Sequence, residues 1–223
     1  MSELTFDVAA SPWMGDLGRF LRDRVEGLGE RVRVRVRVQG TGNHACSPIR
    51  MPAGTSLEIR AEPPPSAGGA PLVWSPRESA AGGALIEVQG GDLILSNIGL
   101  VRDGGSRLKH LLRVEDGHLV VHRCRLTAPG AVETGGGGLV AFRAATTRPL
   151  RDVPGPFGTA TDLPSLRLID SVLITGGDAL SAEVARGVVA LEHCAIAAGR
   201  DALTLLPRRV AKRRFEADLW LDR

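Results

Sequence analysis

Four eight-residue stretches of the chain follow one pattern, and that repeat limits the possible folds more than any other feature. They are Leu93-Ile-Leu-Ser-Asn-Ile-Gly-Leu100, Leu119-Val-Val-His-Arg-Cys-Arg-Leu126, Leu166-Arg-Leu-Ile-Asp-Ser-Val-Leu173 and Val189-Ala-Leu-Glu-His-Cys-Ala-Ile196. Small or apolar residues stand at positions 1, 3, 6 and 8, so two inward side chains at strand spacing precede a corner and two more follow it. The corner carries a polar pair, as in Ser96-Asn97 and Glu192-His193. The copies begin 26, 47 and 23 residues apart, a period suited to one solenoid coil with one long insertion. One coil cannot bury its own apolar edge, so the copies must stack.

A shorter apolar strand precedes each copy: Leu85-Ile-Glu-Val88, Leu111-Leu-Arg-Val114, Val140-Ala-Phe-Arg143 and Leu180-Ser-Ala-Glu-Val184. Each coil then reads strand, tight turn, strand, corner, strand, loop. The turns include Gln89-Gly-Gly91, Glu115-Asp-Gly117 and Ala185-Arg-Gly187, where glycine permits the positive φ of a sharp bend. The pattern resembles the right-handed parallel β-helix of the pectin-lyase-like superfamily, over roughly residues 31–223. The expected fold is all-β, with an N-terminal capping α-helix. The segments 85–95 and 114–124 are also similar to β-helix regions appended to bacterial multi-domain proteins, some of which carry serine/threonine kinase domains. No kinase motif occurs in this chain.

The 223 residues are 43% hydrophobic and 24% charged, enough for a substantial core and against disorder throughout. Aromatic residues make up only 4%, which suits aliphatic rungs and argues against a sugar-stacking platform or single-stranded nucleic acid held by base stacking. Cys46, Cys124 and Cys194 are odd in number and lack metal or redox spacing, and two share one inward repeat position. Those two, Cys124 and Cys194, read as small core residues, and a reducing compartment is the expectation. No secretory signal and no run of 18 apolar residues is visible, so the expectation is a cytoplasmic chain with no membrane span.

Residues 1–30 read as a capping segment and 31–223 as the solenoid, with insertions at about 61–83, 144–164 and 207–217. Ser11-Pro12 has the chemistry of a helix start, and Leu17, Phe20, Leu21, Val25 and Leu28 follow at helical spacing up to Gly29. Such a helix can close the coil's end or dock a partner. Leu219-Trp-Leu-Asp-Arg223 matches the first five repeat positions. The expectation there is a fragment, or a last rung that self-associates with another chain.

Arg31-Val-Arg-Val-Arg-Val-Arg-Val38 alternates strictly, which aims the valines inward and four arginines outward. That face is either a polyanion surface or a solvated strand neutralised by its neighbours. The second and third insertions both replace the turn between the short strand and the repeat. They carry Arg148, Arg151, Arg208, Arg209, Lys212, Arg213 and Arg214, with Arg186 in the turn between them. Gathered into one lip, these cations would take an acidic polysaccharide or an acidic protein segment; spread along a linker, they are only a solvated charge run.

Stacking also predicts polar columns. Asn97, Arg123, Asp170 and His193 share the corner position, which sets Asp170 between a cation and an imidazole. Asp178 and Asp201 share a position just before a strand. As a catalytic set, Asp170, His193, Asp178 and Asp201 would supply general acid and base groups, or the aspartate pair would hold Ca²⁺. As structural residues they form a surface ladder and Asx-type turns. The Asn-Thr-Asp, Asp-Asp, Gly-His-Gly and Arg-x-Lys elements of polygalacturonase-like hydrolases are absent, as are nucleotide, zinc and nucleophile-elbow motifs. The expectation is therefore a non-catalytic binding or scaffolding module without cofactor or metal, with a divergent polysaccharide lyase or glycoside hydrolase as the alternative.

Overall fold

The computed structural model describes residues 2–25, 32–62, 71–77, 81–103, 106–129, 137–144, 164–184, 186–207 and 216–221, with the backbone alone at 81, 186, 207 and 216–221. From its second strand onward the chain visits three sheets in rotation. The first sheet stacks β1 (Ser2–Asp7), β2 (Arg33–Gln39), β5 (Ser56–Ala61), β8 (Leu93–Ser96), β11 (His118–His122), β14 (Ser165–Ile169), β17 (Arg186–Glu192) and β20 (Glu216–Leu221). The second stacks β3 (Gly42–Cys46), β6 (Leu72–Pro76), β9 (Gly99–Val101), β12 (Arg125–Ala128), β15 (Val172–Thr175) and β18 (Ala195–Ala198). The third stacks β4 (Ile49–Arg50), β7 (Ala81–Gln89), β10 (Arg107–Glu115), β13 (Gly138–Ala144), β16 (Asp178–Val184) and β19 (Leu203–Pro207). Neighbours in each sheet pair in parallel, one round apart except for β1 and β2, which the helix Leu17–Val25 separates. This is a β-helix-like solenoid.

The repeat produces this fold because its inward positions meet in register. Val34, Leu57, Leu93, Leu119, Leu166 and Val189 form one column of the first sheet, each almost fully buried. Val36, Ile59, Leu95, Val121, Leu168 and Leu191 form the next. Burying each such side chain favours folding by about 1.5–3 kcal/mol, and a one-residue slip would turn every one outward. Leu219 pairs with Val189, the register expected from the repeat.

The tight turns from the third sheet to the first divide their requirements between two residues. Positive φ falls on Gly90 (65°) and Asp116 (53°). The glycine that follows is required by close approach: a Cβ on Gly91 would strike the Thr55 carbonyl oxygen, one on Gly117 the Gly91 carbonyl oxygen, and one on Gly187 would lie 2.7 Å from the Pro164 oxygen. The corners from the first sheet to the second also use the left-handed region, at Asn97, Arg123, Asp170 and His193.

The N-terminal end differs from the sequence expectation in three respects. Strand β1 precedes the helix and extends the first sheet. Residues 72–76, inside the stretch read as an insertion, form β6, which buries Trp74. Helix α1 (Leu17–Val25) begins after Asp16, not at Ser11-Pro12. Ser11 closes a turn instead, with its Oγ accepting from the Trp13 N–H at 3.1 Å, and Met14 and Gly15 at positive φ prevent helix from continuing through it. Leu17, Phe20, Leu21 and Val25 are buried as expected, and Phe20 packs on Phe6 with ring centroids 4.7 Å apart. Residues 26–31, including Leu28 and Gly29, lie outside the described residues.

Asp16 joins the cap to the stack. It is fully buried, and its carboxylate accepts from the Arg19 N–H (3.1 Å), the Ser47 N–H (2.8 Å), the Ser47 hydroxyl (2.7 Å) and Arg77 Nε (2.7 Å). One residue thus caps α1 and holds two successive coils. Burial pushes its pKa upward, but the hydrogen bonds from Ser47, Arg19 and Arg77 together hold it below the ordinary 3.8. Among the described residues no helix is long and apolar enough to cross a membrane.

Candidate functional site

The two basic insertions leave the solenoid from one column. Ala144, Val184 and Pro207 end three successive strands of the third sheet and pair in register. Ser165, Val188 and Asp218 are paired in the first sheet where the chain returns. The first insertion lies between Ala144 and Pro164 and the second between Pro207 and Glu216, with the Arg186 turn on the coil between them. Adjacent coils are about 4.8 Å apart, so the two roots are separated by about 10 Å. Arg148, Arg151, Arg208, Arg209, Lys212, Arg213 and Arg214 lie outside the described residues, and at Arg186 only the backbone is described, as the first residue of β17.

The corner column assembles as its spacing suggests. Asp170 Oδ2 lies 3.6 Å from Arg123 Nε and 3.7 Å from His122 Nε2, and Asp170 Oδ1 lies 3.7 Å from His193 Nδ1. His122, one residue before the corner, joins the set although spacing did not single it out. Backbone bonds continue through the corner: the Arg123 N–H donates to the Ile169 carbonyl and the Asp170 N–H to the Glu192 carbonyl, each at 3.0 Å. The Asp170 side chain is 39% exposed and the His193 side chain 61% exposed. The contacts around Asp170 are ion-pair distances in open solvent, longer than the hydrogen bonds of proton transfer.

Asp178 and Asp201 stack as expected, but their oxygens face the turn. Asp178 Oδ1 accepts from the Asp201 N–H at 3.4 Å and pairs with Arg200 Nε at 3.3 Å, while the Thr204 hydroxyl donates to Asp201 Oδ2 at 3.5 Å. The Asp201 carbonyl accepts from the Ala179 N–H at 2.8 Å. These contacts tie the Asp178 carboxylate to the turn of the next coil and the Asp201 carboxylate to the start of its own strand; neither is the bond to the N–H two residues on that defines an Asx turn. Among the described residues no group of three or more His, Cys, Asp or Glu is arranged to hold a metal ion.

The arginine strand is neutralised by its neighbours. Arg33 faces Asp92 at 3.6 Å, Arg35 pairs with Glu58 at 2.9 Å and Arg37 pairs with Glu3; Arg31 lies outside the described residues. The third sheet's outer face carries a similar ladder, in which Arg113 meets Glu87 and Glu115 and Arg143 meets Glu183. Exposed ladders of this kind contribute little each to stability, roughly 0–1 kcal/mol, and the arginines within them are engaged by carboxylates.

The cysteines pack in the interior or against it. Burial pushes the Cys46 thiol up to about 12, with the Asp16 charge adding to the effect, and burial pushes Cys124 up to about 12. Cys194 is also raised, first by burial. Thiols so shifted hold little nucleophilic thiolate at neutral pH. A groove of about 480 Å³ lies between α1 and the turn from β3 to β4, with Leu21, Val25, Ile49 and Met51 among its walls and Arg22 and Arg50 beside them.

Fold and site together define an all-β, parallel-sheet solenoid whose first and third sheets carry ladders of paired charges on their outer faces and in which the chain leaves for both basic insertions from one column of the third sheet. No protein-family model, no curated protein and no solved structure matches the chain.

Proposed function

We propose that the chain is a non-catalytic β-helix module of the right-handed, pectin-lyase-like kind, and that it holds an anionic partner against the edge where its third sheet turns into its first. The hand is supported by the near-universal right-handedness of crossovers between parallel strands. The observation that carries the function is the shared register of Ala144, Val184 and Pro207, because it roots both arginine-rich insertions side by side. Loops gathered on one edge of a rigid stack are a common way to build a binding surface. Seven cations in the insertions, with Arg186 between them, suit an acidic polysaccharide or an acidic protein segment. The scarcity of aromatic residues makes nucleic acid the poorer match.

The test is binding of the purified chain to heparin-like and pectin-like polyanions at low and physiological salt. Reversing Arg208, Arg209, Arg213 and Arg214 to glutamate is expected to weaken binding at least about 100-fold and to flatten its salt dependence. Unchanged affinity in the reversed variant would overturn the proposal. A second reading, a divergent polysaccharide lyase or glycoside hydrolase, is favoured by the setting of Asp170 between His122 and His193. Cleavage of acidic or neutral polysaccharides that is lost in Asp170→Asn would select it.

A further inference from the structure

Against the paired charges of the outer faces, one buried cation has no counter-charge among the described residues. Arg102 follows β9 and keeps the inward parity of Ile98 and Leu100. Its N–H donates to the Thr127 carbonyl at 2.8 Å, which continues the ladder and sets Arg102 over Ala128. The next two positions of this column are Thr175 and Ala198, so the long side chain stands among small ones. It is only 6% exposed. Nη1 donates to the carbonyls of Leu108 at 3.1 Å and Lys109 at 2.6 Å, and among the described residues no carboxylate pairs with the guanidinium. Asp103, the next residue, is exposed and makes no ion pair among them.

A guanidinium stays charged at neutral pH, and a buried charge without its opposite is unfavourable. Burial pulls the Arg102 pKa below its ordinary value, and no carboxylate among the described residues raises it again. Two carbonyl oxygens fix one end of the group in place, and they do not neutralise it. The other edge, Nε and Nη2, is the side-on fork that receives carboxylates and phosphates.

His110 stands beside it on the same edge of the fold. It pairs with Ala84 in the register, and its Nδ1 accepts from the Gly138 N–H at 3.2 Å. An accepting Nδ1 assigns the ring proton to Nε2, so the neutral imidazole offers one N–H donor. Burial lowers the His110 pKa to about 4, aided by the charges of Arg102, Arg113 and Lys109, and the Gly138 N–H, which occupies the Nδ1 lone pair, favours the same neutral form; the ring is therefore neutral at pH 7. Arg107 and Lys109 are exposed on the same strand and have no ion pair among the described residues.

We propose that Arg102 and His110 form a binding site for a single oxyanion group, a carboxylate or a phosphate, at the edge where the second sheet turns into the third. Arg102 supplies the fixed charge and a two-donor fork, His110 supplies a donor that carries no charge of its own, and Arg107 and Lys109 draw the anion in. The site lies on a different edge from the basic insertions and stands or falls independently of them.

Phosphate and acetate, each titrated against chloride at constant ionic strength, provide the test, with the Arg102 Nε–H and the His110 ring nitrogens followed by NMR on the whole chain. A saturable shift of both groups with either anion is the expected result. Arg102→Met should abolish saturation. His110→Asn, whose Oδ1 keeps an acceptor for the Gly138 N–H, should weaken binding about tenfold. Saturation that survives in Arg102→Met, or no saturable shift in the unaltered chain, would overturn the proposal. Should Arg102→Met fail to fold, the unaltered chain and His110→Asn decide the matter between them.

Discussion

Asp16→Ala is expected to cost about 3–5 kcal/mol of stability, the range for breaking a buried charged contact. The substitution strips acceptors from Arg19, Ser47 and Arg77 in one step and removes the N-cap of α1. Because coils in a solenoid contact mainly their neighbours, the loss should appear first as opening of the cap and only then as unfolding of the stack. The Trp74 indole N–H, which donates to the Gly15 carbonyl at 3.1 Å, reports that opening by hydrogen exchange. Asp16→Asn keeps an acceptor for the two backbone donors and should cost less. Acid should act in the same direction as the alanine. A carboxyl whose folded pKa lies below 3.8 contributes stability that is present above that value and lost as pH falls through the folded pKa. Denaturant melts at pH 7 and near pH 3 should therefore show a larger acid loss in the unaltered chain than in Asp16→Ala; equal losses would show that Asp16 is not the group responsible.

The turn glycines give the second large effect. Gly117→Ala is expected to destabilise by about 2–4 kcal/mol, because the added methyl would meet the Gly91 carbonyl oxygen of the coil below and neither backbone can yield without breaking the stack. Asp116→Gly, one residue earlier, should change stability by no more than about 1 kcal/mol, since φ there is 53° and glycine adopts it freely. Thermal or urea melts of the two variants compare close approach with backbone conformation directly. A Gly117→Ala chain as stable as the parent would mean that the coils are not stacked at the contact distance described.

How much could be read from the chain depends on whether a feature repeats. Leu93, Leu119, Leu166 and Val189 announced one inward column by recurring at the same position, and Asp170 fell between Arg123 and His193 for the same reason. Features that occur once were harder to read. Ser11-Pro12 has better cap chemistry than Asp16-Leu17 by local rules, but Met14 and Gly15 take the left-handed conformation and the partners of the buried Asp16 come from residues 47 and 77. Long-range contacts of that kind override local preference. β6 was hidden because Leu72–Pro76 lies among prolines and lacks the polar corner of the other copies. Arg102 had a signal that the eight-residue motif cut off. Extended by two residues, the repeat gives Arg102, Ala128, Thr175 and Ala198 at one inward position, and an arginine in that company is out of place.

The most direct measurement is hydrogen exchange across the chain with and without a heparin-like or pectin-like polyanion. If the loop-bearing edge binds, slowed exchange is expected in the peptides around Ala144, Val184 and Pro207 and in the insertions they flank, while the corner from Asn97 to His193 stays unchanged. Protection centred on that corner, or none on the edge at a polyanion concentration that saturates binding, would contradict the proposed function.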